Sequence, residues 1–324
     1  MKAIVCRELG PPEKLVYEDL PEPPLTPSGV RIAVAGAGVN FPDTLIIAGK
    51  YQMKATPPFT PGAEVAGTVL EVGARVTHVK PGDRVAALVP VGGYAQQVVA
   101  PAESVLTLPD SLDAITAAGF PLVYGTALHA LVQRGALKPG ETLLVLGAAG
   151  GVGLAAVQLG KLLGARVIAA ASSAAKLALC QSFGADETVD YSRASLKEAV
   201  KTLTRGAGAD VIYDPVGGAL AQDCLSCINW NGRYLVIGFA SGAIPEIAAN
   251  RLLLKGAAAV GVFWGAFVAC EPQVSAENFR RLFGWIAEGR LQPMAPKTYR
   301  LAEAGQALRD LMERRVTGKL VLIP

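Results

Sequence analysis

The feature that most constrains this chain is a glycine-rich loop, Leu146-Gly147-Ala148-Ala149-Gly150-Gly151-Val152-Gly153. An apolar run over residues 142–146 precedes it, and a helical pattern over 152–163 follows. The loop departs from G-x-G-x-x-G at its first position, where Ala148 stands; Gly150 and Gly153 fill the second and third. A glycine at 150 admits a pyrophosphate close to the backbone, and Gly153 lets the helix pack on the strand. The helix start supplies free amides and the positive end of the dipole. Ala149, Gly150, Gly151 and Val152 are therefore expected to cradle the phosphates of a dinucleotide. A tight turn with no ligand is the competing reading, and the context of the loop argues against it.

That context is a change of grammar near Tyr124. Beyond it, predicted strands at 142–146, 165–171, 186–190, 211–214, 232–238 and 260–264 alternate with predicted helices at 152–163, 174–183, 195–203 and 220–229. Short apolar strands separated by helices predict a parallel sheet covered on both faces. The first 120 or so residues instead carry short β-branched runs (30–34, 65–72, 84–88) punctuated by glycine and proline, the pattern of an irregular β-rich domain. The last 60 residues hold amphipathic helices at 278–288 and 302–313 and a closing strand at 319–323. The expected organisation is an α/β chain: a β-rich domain (1–123), a doubly wound nucleotide-binding domain inserted into it (124–264), and a return to the first domain (265–324).

Composition excludes several functions. A chain that is 51% apolar with a net charge of +3 is not disordered, and it shows no clustered basic stripe for nucleic acid. Residues 143–160 carry no charge, but five glycines break them into strand, turn and helix, so no membrane span is expected. The first 20 residues hold four acidic side chains and no continuous apolar core, which is no secretory signal. Five scattered cysteines read as a reduced, cytoplasmic protein. Cys224 and Cys227 form the one C-x-x-C, read as helix or core cysteines rather than as a redox or metal pair.

The second strand of the alternating series predicts which dinucleotide. An NAD site places Asp or Glu there to take the ribose hydroxyls. No acidic residue occurs from Thr142 to Ala185, whereas Ser172, Ser173 and Lys176 follow that strand. Hydroxyls and a lysine favour a 2′-phosphate, so the expected cofactor is NADPH. Ser173 also reads as a helix N-cap, and Lys176 as a solvated helix residue.

These segments carry a resemblance. Residues 146–163, 169–179, 209–218 and 318–322 resemble the medium-chain dehydrogenase/reductase superfamily. Ala37-Gly38-Val39-Asn40-Phe41-Pro42-Asp43, Pro61-Gly62-Ala63-Glu64-Val65-Ala66-Gly67 and Pro121-Leu122-Val123-Tyr124-Gly125-Thr126-Ala127-Leu128-His129 are similar to its zinc-independent, zeta-crystallin-like NADPH:quinone reductase branch. The resemblance implies a GroES-like β-rich catalytic domain, an inserted Rossmann domain, a cleft between them and a homodimer. Zinc members place a Cys ahead of the Asp of the first motif and a His before the Glu of the second. Here those positions hold Asn40 and Ala63, so no metal is expected.

Without a metal, negative charge on the oxygen of a reduced quinone or activated alkene needs neutral donors. The resemblance makes Asn40, Tyr51 and Thr126 the candidates: Asn40 with its amide facing the cleft, Tyr51 as phenolic donor, Thr126 at a helix start near the nicotinamide. Each has a plainer reading: a turn residue, a loop aromatic on prolines, an N-cap. Asp43 reads as structural, and neither His78 nor His129 as a proton donor. Strand ends and family positions add Tyr191, Gly217, Gly238, Phe239, Val262, Phe263, Trp264 and Lys319 as expected cofactor contacts. The alternatives are an enoyl- or acryloyl-CoA-type thioester reductase and a non-catalytic NADPH-binding protein of crystallin type. No Tyr-x-x-x-Lys occurs, which removes the short-chain reductases.

Overall fold

Six short strands between Thr142 and Gly261 form one parallel sheet: Thr142–Val145, Arg166–Ala171, Glu187–Asp190, Ala209–Asp214, Ile228–Val236 and Ala258–Gly261. Counted in chain order they lie 3-2-1-4-5-6, and every neighbouring pair is parallel. The order reverses beside the first strand, which creates a ligand crevice at the carboxyl ends there. The central strands are apolar along their whole length because helices cover both faces. Leu143, Leu144, Val145, Val211 and Ile212 are all fully buried. The computed structural model describes residues 1–324. It divides into two units, Met1–Leu122 with Pro293–Pro324, and Val123–Gln292.

The first unit is built on a seven-stranded sheet around the long strand Gly29–Val39. Glu64–Val72, Gln97–Pro101 and Leu320–Ile323 all pair antiparallel with it. Register here has a chemical consequence. Leu320 pairs with Val39 and Val65 with Ala37, so Lys319 and Glu64 arrive beside the end of the central strand, where Asn40 begins the helix Phe41–Ile47. Behind them lies a valine-rich core that includes Val30, Ile32, Val65, Val85 and Leu322.

Several expected boundaries move. The helix at 220–229 ends at Cys227, and the next strand starts at once with Ile228. The strand expected at 260–264 is Ala258–Gly261, and Trp264 instead opens the helix Trp264–Cys270. The expected domain boundary at 264/265 also differs from the structure, in which residues 265–292 belong with the second unit. Two contacts within that unit account for this. Phe267 stacks on His129 at 3.8 Å, and Asn278 of the helix Pro272–Ala287 exchanges amide hydrogen bonds with Gln133 at 3.1 and 3.2 Å. Thr126 does not start a helix: Pro121–His129 is continuous, and Thr126 lies buried within it. No helix is long and apolar enough to cross a membrane.

Candidate active site and cofactor cradle

Each unit carries one concentration of chemistry. In the second unit, Gly150 caps the helix Gly151–Leu162. The first bond of that helix is Leu154 N–H to Gly150 O at 2.8 Å, so the amides of Gly151, Val152 and Gly153 precede the ladder and are available to an anion. Gly153 is sterically obligatory, because a Cβ there would sit 2.4 Å from Gly147 O and 2.7 Å from Ala148 Cα. A Cβ at Gly150 would meet nothing closer than 3.4 Å, so the space in front of it is open. An open cradle of unspent amides is what a pyrophosphate requires, and the loop fits a dinucleotide.

The neighbouring strand ends assemble the rest. Asp190 pairs in register with Ala171, and Tyr191 N–H bonds Ala171 O at 3.2 Å, which brings Tyr191 beside Ser172 and Ser173. Ser192 Oγ lies 3.4 Å from Ser172 O. Ser173 is the N-cap of the helix Ala174–Ser182 and accepts Lys176 N–H at 3.4 Å. The capping reading of Ser173 therefore holds, and Ser172 is the exposed hydroxyl of the pair. The carboxylate that register brings beside this corner, Asp190, is taken by Ser192 through its N–H at 2.9 Å and its hydroxyl at 2.5 Å.

At the fourth strand, the buried Asp214 carboxylate accepts the amides of Val216 and Gly217 at 2.7 and 2.9 Å and the Tyr234 hydroxyl, which shapes the turn that carries Gly217. Gly238 and Phe239 follow the fifth strand, and Phe239 packs near Gly217. Val262 is buried and Phe263 is 54% exposed. Trp264 is a different case. Its indole covers Gly125, where a Cβ would lie 2.6 Å from Cζ2, and it meets Phe279 edge-on at 6.4 Å. It packs as a core residue of the second unit. Burial holds the His129 imidazole below its ordinary pKa, with Gln133 opposing, so it packs as a neutral ring. Cys224 and Cys227 are buried on one helix; desolvation raises the first thiol and pushes the second up to about 12, which leaves both protonated.

In the first unit, Asn40 is 4% exposed, and its amide does not face open space. Nδ2 donates to Glu64 Oε1 at 2.8 Å and weakly to Gly38 O at 3.4 Å, while Oδ1 accepts from the Lys319 ammonium. A fully buried glutamate thus takes one of the two amide hydrogens expected to face the cleft, and the other has only the long contact to Gly38 O. Lys319 is buried in the same cluster. Its ammonium is shared among Glu64 Oε1 at 2.7 Å, Val39 O at 3.0 Å and Asn40 Oδ1, which accounts for its three hydrogens before any cofactor arrives. Gly38 permits this close packing, since a Cβ there would lie 2.4 Å from Glu64 Oε1.

Asp43 stands at the third position of the helix that Asn40 caps. Its Oδ2 accepts Asn40 N–H and the Tyr94 hydroxyl, both at 2.8 Å, and its buried Oδ1 has no partner. Burial pushes its carboxyl up to about 6, against the lowering pull of Tyr94, the Asn40 amide and Lys319. Tyr51 is half-buried; desolvation, then the Asp43 charge, hold its phenol above the ordinary value, so it is protonated at neutral pH. Sequence reasoning missed Glu64 and Tyr94. Glu64 stood in a quoted motif in which only Ala63 was weighed. Tyr94 carried one faint signal, the glycine pair Gly92-Gly93 before it. No group of three or more His, Cys, Asp or Glu is arranged to hold a metal ion.

Comparisons with known proteins follow the same division. The alcohol dehydrogenase GroES-like domain family matches residues 26–110, and the zinc-binding dehydrogenase family matches residues 151–286. The chain is 42% identical to a quinone oxidoreductase-like protein 2 homolog of Nematostella vectensis, over 99% of this chain and 88% of that protein. It is 37% identical to a quinone oxidoreductase of Pseudomonas aeruginosa over 100% and 99% of the two chains. The Escherichia coli quinone oxidoreductase solved in complex with NADPH superposes with a TM-score of 0.93 at 29% identity, covering 100% of both chains. With the first metal-ligand position held by Asn40 and the second by Ala63, the chain belongs to the zinc-independent quinone oxidoreductase branch of the medium-chain dehydrogenase/reductase superfamily.

Proposed function

We propose that this protein is an NADPH-dependent oxidoreductase that reduces quinones or α,β-unsaturated carbonyl compounds without a metal. The observation that carries the cofactor half is the open amide cradle at Gly151, Val152 and Gly153 beside a strand end that offers Ser172, Ser173 and Lys176, where the adjacent Asp190 carboxylate is already held by Ser192. Those residues, with Tyr191, Gly217, Gly238 and Phe239, would hold NADPH, which supplies a hydride when bound. The helix start takes the pyrophosphate charge, and the Ser172–Lys176 corner takes the 2′-phosphate.

The remaining work belongs to neutral donors. The Tyr51 phenol stays protonated and is assigned as hydrogen-bond donor to the substrate oxygen as it gains charge. Asn40 contributes the one amide hydrogen that has only a long partner, Gly38 O. A reduced quinone takes its protons from solvent, so no further acid is required.

We also infer a homodimer. Its support is the open edge of the six-stranded sheet, where Ala258–Gly261 has a strand on one side only. Leu253, Leu254 and Trp230 are 77%, 70% and 65% exposed in the same unit, apolar side chains that a second copy would cover. A cytoplasmic location rests on cysteine usage alone. The test of function is NADPH oxidation with small quinones against oxidation with acryloyl- or crotonyl-CoA. Turnover of quinones and simple enones supports the assignment. Turnover of the thioester alone makes the protein a thioester reductase, and binding of NADPH without any turnover makes it a binding protein.

A further inference from the structure

Glu64 joins three other stretches of the chain, at Asn40, Leu122 and Lys319. Its Oε1 accepts Asn40 Nδ2 at 2.8 Å and faces Lys319 Nζ at 2.7 Å, and its Oε2 accepts Leu122 N–H at 2.9 Å. Lys319 closes the ring by donating to Asn40 Oδ1. The Asn40 carboxamide thus lies between a carboxylate and an ammonium, all within a buried region. Rotated by half a turn, its oxygen would face the carboxylate and its NH2 the ammonium. Both contacts would then be repulsive, and burial weakens the screening that would excuse them.

We propose that Glu64 and Lys319 are positioning residues that lock the Asn40 carboxamide with Nδ2, rather than Oδ1, toward Gly38. The consequence is chemical. The Asn40 hydrogen not taken by Glu64 has only the 3.4 Å contact to Gly38 O, so the lock keeps an underused donor, not an acceptor, at that place. A neutral pair at 64 and 319 would let the amide populate both orientations. This role rests on the proposed use of Asn40 as a donor to the substrate oxygen.

The test combines Lys319→Met, Lys319→Arg and Glu64→Gln with Asn40→Ala, and has one readout that needs no activity. In the protein without cofactor, solvent exchange of the Asn40 side-chain amide is followed by NMR. Exchange is expected to be slow in the parent chain, about tenfold faster in Lys319→Met and Glu64→Gln, and restored in Lys319→Arg, since the lost contact is a hydrogen bond to a charged group. With NADPH and a quinone, kcat is expected to fall about tenfold in Lys319→Met, with little change in KM for NADPH, for the same reason. Introduced into Asn40→Ala, Lys319→Met should cost no further kcat, because the residue it acts through is gone. Multiplicative losses, or unchanged amide exchange in folded Lys319→Met or Glu64→Gln, overturn the proposal. Should the parent chain reduce neither quinones nor enones, the functional reading fails and amide exchange alone decides the lock.

Discussion

Lys319 Nζ lies 2.7 Å from Glu64 Oε1, and their side chains are 3% and 0% exposed. A buried pair of this kind contributes little net stability compared with apolar packing, yet breaking it is costly because one charge is left behind. Lys319→Met should therefore lower unfolding free energy by about 3–5 kcal/mol. Adding Glu64→Gln should recover part of that loss, because the orphaned charge is removed. Urea unfolding of the two variants checks the order; a double variant less stable than the single contradicts it.

Asp43 sets a pH dependence. Its carboxyl is pushed up to about 6 in the folded chain, above its ordinary value of 3.8. The folded state therefore holds this proton more tightly than the unfolded state does. The stabilisation is fully present below pH 3.8 and is lost as pH rises through about 6. The difference between the two values corresponds to ~3 kcal/mol. Asp43→Asn has no such proton, so the difference in stability between parent and variant should move in the parent's favour as pH falls from 7 to 4. Chemical denaturation along that series measures it, and a difference independent of pH contradicts the assignment.

Two glycines of the phosphate loop should separate folding from binding. Gly153→Ala drives a Cβ into the backbone at Gly147 and Ala148, so it should lower the melting temperature of the cofactor-free protein. Gly150→Ala meets nothing within 3.4 Å, so it should fold normally. It should nonetheless weaken NADPH binding by about tenfold or more, as the added methyl occupies the phosphate's space. Thermal unfolding and fluorescence titration give the two answers separately; normal NADPH affinity in Gly150→Ala contradicts the cradle.

The cofactor preference has its own test. Lys176→Ala should reduce the ratio of NADPH to NADH affinity by about tenfold, the worth of one hydrogen bond to a charged group. The change should fall on NADPH and leave NADH nearly untouched. An unchanged ratio removes Lys176 from the phosphate site.

How much of this was legible in the sequence follows from what each feature depends on. The parallel sheet was legible because buried strands read as apolar runs and the glycine loop marks the first crossover. The boundaries near Trp264 were not. Val262, Phe263 and Trp264 continue the apolar run past Gly261, whereas in the fold the strand stops at Gly261 and Trp264 opens a helix with its indole over Gly125. The site residues divide in the same way. Gly150, Ser173 and Tyr191 are local to strand ends, and their places follow from the order of elements. Asn40 and Lys319 are 279 positions apart, and their contact exists only because Leu320 pairs with Val39. A sequence pattern identifies an asparagine at a metal-ligand position but not the buried glutamate that consumes its amide.

The central claim is hydride transfer from NADPH to a quinone with neutral donors in place of a metal. It is tested most directly by NADPH oxidation with p-benzoquinone before and after exhaustive chelation. The same rate is expected in both, with a strong loss in Tyr51→Phe. A rate that vanishes on chelation and returns with added zinc would contradict it.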